Sequence, residues 1–219
     1  AFDLYVRRMQ PAWSVPLQRR RLAILWALVL AASAIKVAED VIGGESGPVD
    51  RAILIFIRGH APDEWKRFFQ AITLTGSSHV LVPLTSFVAV VLLFARRQYE
   101  ALLLVASTLC GAGVVYALKV LVGRARPDLW PVEWYWGSSF PSGHTLVVSA
   151  FATAGALAVA RVWPATREWA AAFAFIWVLL VALSRLVLGV HWPTDVLAAA
   201  CIGATLPLAF SLFFEFRSG

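Results

Sequence analysis

Two histidines, three cations and a carboxylate stand in this sequence at spacings that let them act together on an anion. In His191-Trp-Pro-Thr-Asp195 a carboxylate follows a histidine by four residues. Asp195 can accept the Nδ1–H of His191 and so fix the tautomer in which Nε2 carries the free lone pair. That is the base-and-orienter half of a nucleophilic arrangement, although the pair alone equally describes a structural His–Asp contact. In Pro141-Ser142-Gly143-His144 the serine suits a helix N-cap, and the glycine admits a ligand close to the backbone. The N–H groups and positive dipole of a helix start make an anion site, beside which His144 adds a titratable group. Lys119 and Arg126 are seven residues apart, about two helical turns, and can share a face if the helix persists. Gly123 and Pro127 argue that it loosens before or near Arg126. Arg124 reads as ordinary flanking charge. Lys119 stands inside an apolar run, where a cation costs about 2.5–3.5 kcal/mol at mid-depth and is functional by default. Ser184-Arg185 supplies a third cation before the His191 segment.

The elements that must hold these residues are apolar. Of 219 residues, 60% are hydrophobic and 15% charged, whereas a soluble domain is roughly a quarter charged. The net charge of +6 would suggest nucleic acid on a soluble chain. Here the arginines sit between apolar runs, so topology explains them and no nucleic-acid partner is expected. Six membrane spans are predicted: Leu22 to Val41, Ile72 to Ala95, Tyr99 to Val122, Gly143 to Val162, Trp169 to Gly189 and Thr194 to Phe214. Each can cross ~30 Å of hydrocarbon as a helix. The fold class expected is all-α, a six-transmembrane-helix bundle with short interfacial helices in the loop between spans one and two. One membrane domain spans residues 22–214, with cytoplasmic segments 1–21 and 215–219. The sequence begins without Met, which reads as a trimmed start, and the apolar run after Arg21 reads as a retained anchor.

Arg7, Arg8, Arg19, Arg20, Arg21, Arg96, Arg97, Arg161, Arg167 and Arg217 all fall on one side of a six-span topology. That side is expected to be cytoplasmic and to hold both termini. The opposite side carries Arg51, Arg58, Lys66 and Arg67 among Glu45, Asp50, Asp63 and Glu64. Residues 43–71 are too polar to span. They read either as one or two short interfacial helices on the outer leaflet or as a cap packed over the loops. Trp130, Trp134, Tyr135, Trp136 and Trp192 cluster in the outer loops, and Trp163 and Trp169 mark the inner boundary, as in any aromatic belt. Cys110 and Cys201 lie in apolar stretches and read as small buried hydrophobes. No Cys/His spacing has the form of a metal site.

Every chemistry-bearing cluster falls at the outer end of a span, so three fixed cations, two imidazoles, a carboxylate and a helix N-terminus meet on one side. A phosphate with its negative equatorial oxygens fits such a set. The pattern K-x6-R-P, P-S-G-H, S-R-x5-H-x3-D, running from Lys119 to Asp195, resembles the type 2 phosphatidic acid phosphatase superfamily, the lipid phosphate phosphatases. The motifs cover about a third of the chain, and the six spans match the membrane branch. The soluble vanadium haloperoxidases share the motifs, but the hydropathy argues against that branch.

The resemblance implies that His191 attacks phosphorus and becomes phosphohistidine, that Asp195 orients it, and that His144 protonates the leaving oxygen and then activates water. It implies that Lys119, Arg126 and Arg185 bind the phosphoryl oxygens with Ser142 and the Gly143 N–H. It implies no metal and no cofactor. The expected partner is a membrane lipid substrate within the bilayer, hydrolysed at the extracytoplasmic face of what the Arg- and Ala-rich composition suggests is a bacterial membrane. Phosphatidylglycerophosphate, isoprenyl pyrophosphate and phosphatidate are the substrate types of similar proteins. A lipid phosphotransferase with the same phosphohistidine is the alternative, and a non-catalytic transporter or scaffold is a third reading. The sequence does not set the oligomeric state.

Overall fold

The computed structural model describes residues 11–62, 64–132 and 137–217. Arg7, Arg8, Asp63, Trp134, Tyr135 and Trp136, named above, lie outside the described residues. The described chain is all-helical: α1 Pro11–Ile42, α2 Gly47–His60, α3 Trp65–Thr75, α4 Ser78–Phe94, α5 Gln98–Val122, α6 Gly143–Val162, α7 Arg167–Val187 and α8 Pro193–Arg217. A 3-10 turn at Pro164–Thr166 joins α6 to α7. Five helices are long and apolar enough to cross a membrane: α1 from Arg20, α5, α6, α7 and α8.

The predicted second span is where sequence and structure part. Ile72 to Ala95 is divided between α3 and α4, which meet at a 42° bend. Gly76 sits at the break because a Cβ there would approach Val148 Cγ2 and Val181 Cγ1 to 3.0 Å. The chain therefore turns where it is pressed onto α6 and α7. If the bent pair is one span, the bundle has six.

Lipid as solvent accounts for the surface. Phe94, Trp169 and Leu121 are 87%, 79% and 78% exposed, and a soluble protein rarely exposes continuous apolar surface of this kind. Without a hydrophobic force between helices in lipid, small residues bring them together. Half of the most apolar stretch of α6 is buried, against 6% for α1. α6 contacts α5, α7 and α8, whereas α1 packs chiefly on α8. At the α6–α8 crossing a Cβ on Gly203 would fall 2.4 Å from the Leu146 carbonyl oxygen. Ser149 donates to the Ala200 carbonyl at 2.8 Å across the same crossing. Leu81, Leu103, Leu104, Val148, Phe151, Ala154 and Val181 fill the core between α4, α5, α6 and α7.

Residues 43–71 form short helices, as expected, and these pack over the helix ends. α2 contacts α7 and α8, and α3 lies along α7. Asp50 and Leu54 on α2 are fully buried, while Ile55 and Phe56 point outward, 52% and 64% exposed.

Candidate active site

Four local structures deliver the motif residues to one end of the bundle. α5 ends at Val122 because Gly123 turns left-handed, with φ +62°. The helix does not persist to Arg126. Lys119 stays in the last turn, and its amine donates to the Ser138 carbonyl. The following strand of loop is tied down by Ser139 N–H to the Arg124 carbonyl (2.8 Å) and Ser139 Oγ to the Ala125 carbonyl (3.0 Å). Arg126 is thereby turned inward, where Nη1 donates to the Val190 carbonyl at 2.8 Å and Nε to the Gly137 carbonyl at 3.2 Å.

Ser142 is the N-cap residue of α6 in position, but its side chain does not cap the helix. Its hydroxyl meets Thr145 Oγ1 at 3.0 Å, and its backbone N–H donates to the Asp195 carbonyl oxygen at 3.2 Å. The α6 start is thus joined to the α8 start, with Gly143 in the first turn.

α7 closes in a Schellman motif. Val190 N–H donates to the Arg185 carbonyl (3.2 Å) and Gly189 N–H to the Leu186 carbonyl (2.9 Å). Gly189 has φ +71°, and Trp130 lies so close that a Cβ there would meet its Nε1 at 2.5 Å. Arg185, three residues inside this end, is fully buried and donates to Thr73 Oγ1 at 2.5 Å. The motif throws His191 back over the site. Pro193 then opens α8, which places Asp195 at the third helical position. From there Oδ2 reaches back to accept the Trp192 N–H at 2.9 Å, one half of a capping box.

His191 is buried, 2% exposed, and its imidazole is bracketed. Nδ1 is 3.5 Å from Asp195 Oδ2, and Nε2 is 3.4 Å from Arg126 Nη1. Nδ1 has no hydrogen bond to another described residue, so Asp195 is the acceptor it faces, about half an ångström beyond ordinary hydrogen-bond length. Burial, with Arg185 and then Arg126 adding to it, outweighs the pull of Asp195 and pushes the His191 pKa down from 6.5 to about 4. His144 lies within electrostatic range of Arg185, His191, Arg126 and Lys119. Lys119 is likewise in range of Arg126, Asp195 and Arg185. All eight residues selected from the sequence therefore gather at the ends of α5, α6, α7 and α8. Among the described residues no three His, Cys, Asp or Glu side chains cluster to hold a metal ion.

Arg124 is not flanking charge. Nη1 donates to Asp195 Oδ1 at 2.7 Å and Nη2 to Asp50 Oδ2 at 2.6 Å, with Thr194 Oγ1 (2.8 Å) and Ser46 Oγ (3.0 Å) as further acceptors. Asp50 in turn accepts the Thr194 N–H at 3.0 Å and the Thr194 hydroxyl at 2.6 Å. Sequence reasoning also missed Ser46, Asp50, Thr73 and Thr194. The one signal available was an acid in the first turn after Gly-Pro, in a segment with an apolar helical face.

The PAP2 superfamily model matches residues 100–218. Phosphatidylglycerophosphatase B of Escherichia coli (strain K12) is 41% identical over 70 residues, 32% of this chain. That match spans only 26% of the E. coli protein. Phosphatidylglycerophosphatase B of Bacillus subtilis (strain 168) is 30% identical over 138 residues, 62% of this chain and 68% of the relative. The crystal structure of the first transmembrane PAP2 type phosphatidylglycerolphosphate phosphatase from Bacillus subtilis shares the fold. It has a TM-score of 0.71 and 24% identity over 92% of this chain and 96% of that one. A family match over more than half the chain, with the motif residues assembled at one end of an all-helical bundle, places this protein in the PAP2 superfamily.

Proposed function

We propose that this chain is an integral-membrane lipid phosphatase that hydrolyses a phosphate monoester or a diphosphate of a lipid through a phosphohistidine at His191. The observation that carries the proposal is the bracketing of the imidazole. One ring nitrogen faces a carboxylate, and the other faces the guanidinium of Arg126. Lys119, Arg126 and Arg185 hold the phosphoryl oxygens, with the Gly143 N–H and the α6 dipole behind them. The Nε2 lone pair attacks phosphorus in line with the leaving oxygen. The P–O bond to the lipid breaks as His144 gives that oxygen a proton. The positive charge on the phosphorylated imidazole is met by Asp195 through Nδ1–H. His144 then takes a proton from water, whose oxygen attacks phosphorus. The P–N bond breaks, inorganic phosphate leaves, and His191 returns neutral. Positioning and electrostatics are what phosphoryl transfer chiefly requires.

A lipid head group fits because the site sits at the ends of apolar spans, where the head stays in water and the tails remain in hydrocarbon. Phosphatidylglycerophosphate is the substrate type favoured by the relatives' names. Arg96, Arg97, Arg161 and Arg167 fall at the opposite end of the bundle from the site. Under the positive-inside rule this supports an extracytoplasmic site, cytoplasmic termini and one membrane domain over residues 22–214.

The test is phosphate release from purified protein across a panel of lipid monophosphates and diphosphates, with His191→Ala as control. The variant is expected to purify as a folded protein without turnover and without trapped phosphoprotein. Retention of full activity in His191→Ala would refute the nucleophile.

A further inference from the structure

The motifs leave Arg124, Asp50 and Thr194 without a task, yet these residues form a dense set of charged contacts beside His191. The Arg124 guanidinium lies between two carboxylates, Asp195 of α8 and Asp50 of α2. It meets Asp195 with Nη1 and Asp50 with Nη2. Its side chain is 14% exposed, and both carboxylate side chains are 0% exposed. Thr194 closes the ring, since its hydroxyl accepts from Arg124 while donating to Asp50. The Trp192 indole lies over the guanidinium, 5.6 Å from ring centroid to Cζ, and is itself held by the Ala125 carbonyl at 2.9 Å.

Stability does not explain such a cluster. Two buried carboxylates around one guanidinium carry a net negative charge, and apolar residues of similar volume generally serve a fold as well or better. Orientation does explain it. Asp195 Oδ2 is fixed by the Trp192 N–H and faces His191 Nδ1. That leaves Oδ1 as the handle by which the plane of the carboxylate is set, and Arg124 holds it. Arg124 is in turn fixed from the far side by Asp50, on a helix outside the recognisable motifs.

We propose that Arg124 and Asp50 are positioning residues for the phosphohistidine reaction: the chain Asp50–Arg124–Asp195 holds the Asp195 carboxylate in the plane it needs to orient His191. This rests on the phosphohistidine reading above. Arginine is required because only its fork serves two acids at once, whereas a lysine at this position reaches one of them. α2 thereby becomes part of the active site without touching the substrate.

The experiment compares Arg124→Lys, Asp50→Asn, Asp195→Asn and the double variant Arg124→Lys/Asp195→Asn, each purified in detergent and checked for a cooperative melt. Phosphate release from a lipid phosphate gives kcat and KM, and inhibition by inorganic vanadate reports the phosphate pocket. Each of the Arg124 and Asp50 variants is expected to lose about tenfold or more in kcat, with KM and vanadate inhibition within about threefold of the parent. The double variant is expected to be no more than about twofold slower than Asp195→Asn alone, because residues acting through one another are not additive. Losses that multiply, losses confined to KM and vanadate binding, or an unchanged kcat in Arg124→Lys and Asp50→Asn would each overturn the proposal. If Arg124→Lys does not fold, the near-isosteric Asp50→Asn, alone and combined with Asp195→Asn, decides the question by the same criteria. Activity in His191→Ala would instead remove the phosphohistidine reading. Full kcat in the Arg124 and Asp50 variants, with His191→Ala inactive, removes only this one.

Discussion

Protonation of His191 links acid stability to the active site, and the size of the effect follows from its burial. Folding buries the imidazole among Arg185 of α7, Arg126 of the loop after α5, His144 of α6 and Asp195 of α8. Burial, Arg185 and Arg126 together push its pKa from 6.5 to about 4 against the pull of Asp195. An imidazole freed by unfolding takes up its proton below about pH 6.5, whereas the folded one stays neutral down to about pH 4. Between these values the unfolded state binds more protons, so stability rises with pH across that window and is level above it. The His191 contribution to stability at pH 5 is lower than at pH 8 by about 2 kcal/mol, and at pH 4 by about 3 kcal/mol. The same shift keeps about nine-tenths of the His191 imidazole neutral at pH 5, against about 3% for an ordinary histidine. The assay is denaturant unfolding of detergent-solubilised parent and His191→Gln between pH 4 and 8. Titrating groups away from the site are common to both proteins, so the difference between the two curves reports His191 together with its coupling to Asp195 and His144. Parent stability is expected to fall relative to His191→Gln as pH drops below about 6.5. A difference that is flat with pH, or that grows in the parent's favour on acidification, would refute the reasoning about burial and neighbouring cations.

Three further outcomes are expected. Gly189→Ala should cost about 1–2 kcal/mol for the left-handed backbone and more for a Cβ driven into Trp130; a parent-like melting temperature and activity would contradict the Schellman geometry. Arg185→Lys should lose about one charge-assisted hydrogen bond to the phosphoryl group, or roughly 10- to 150-fold in kcat/KM; equal activity would show that the buried fork does not touch substrate. EDTA should leave phosphate release unchanged, because the proposed mechanism uses imidazole and fixed cations; loss of activity restored by added Mg²⁺ would require a different account.

The candidate site was legible because its motifs are written in short range. His191 and Asp195 share a helix start, Ser142, Gly143 and His144 share another, and Lys119 and Arg126 flank one glycine turn. The apolar runs of α1, α5, α6, α7 and α8 were legible because a membrane span must be long, apolar and internally hydrogen-bonded. Tertiary structure alone decided the rest. Gly76 breaks the second span because α6 and α7 leave no room for a side chain there, and no periodicity records that crowding. Thr73 meets Arg185 across 112 residues of sequence, and Asp50 meets Arg124 across 74. A buried polar partner at such a distance leaves no local spacing to read, since its requirement is set by the dry environment that folding creates. Composition and spacing singled out the candidate chemical groups; the fold decided which buried polar groups they meet.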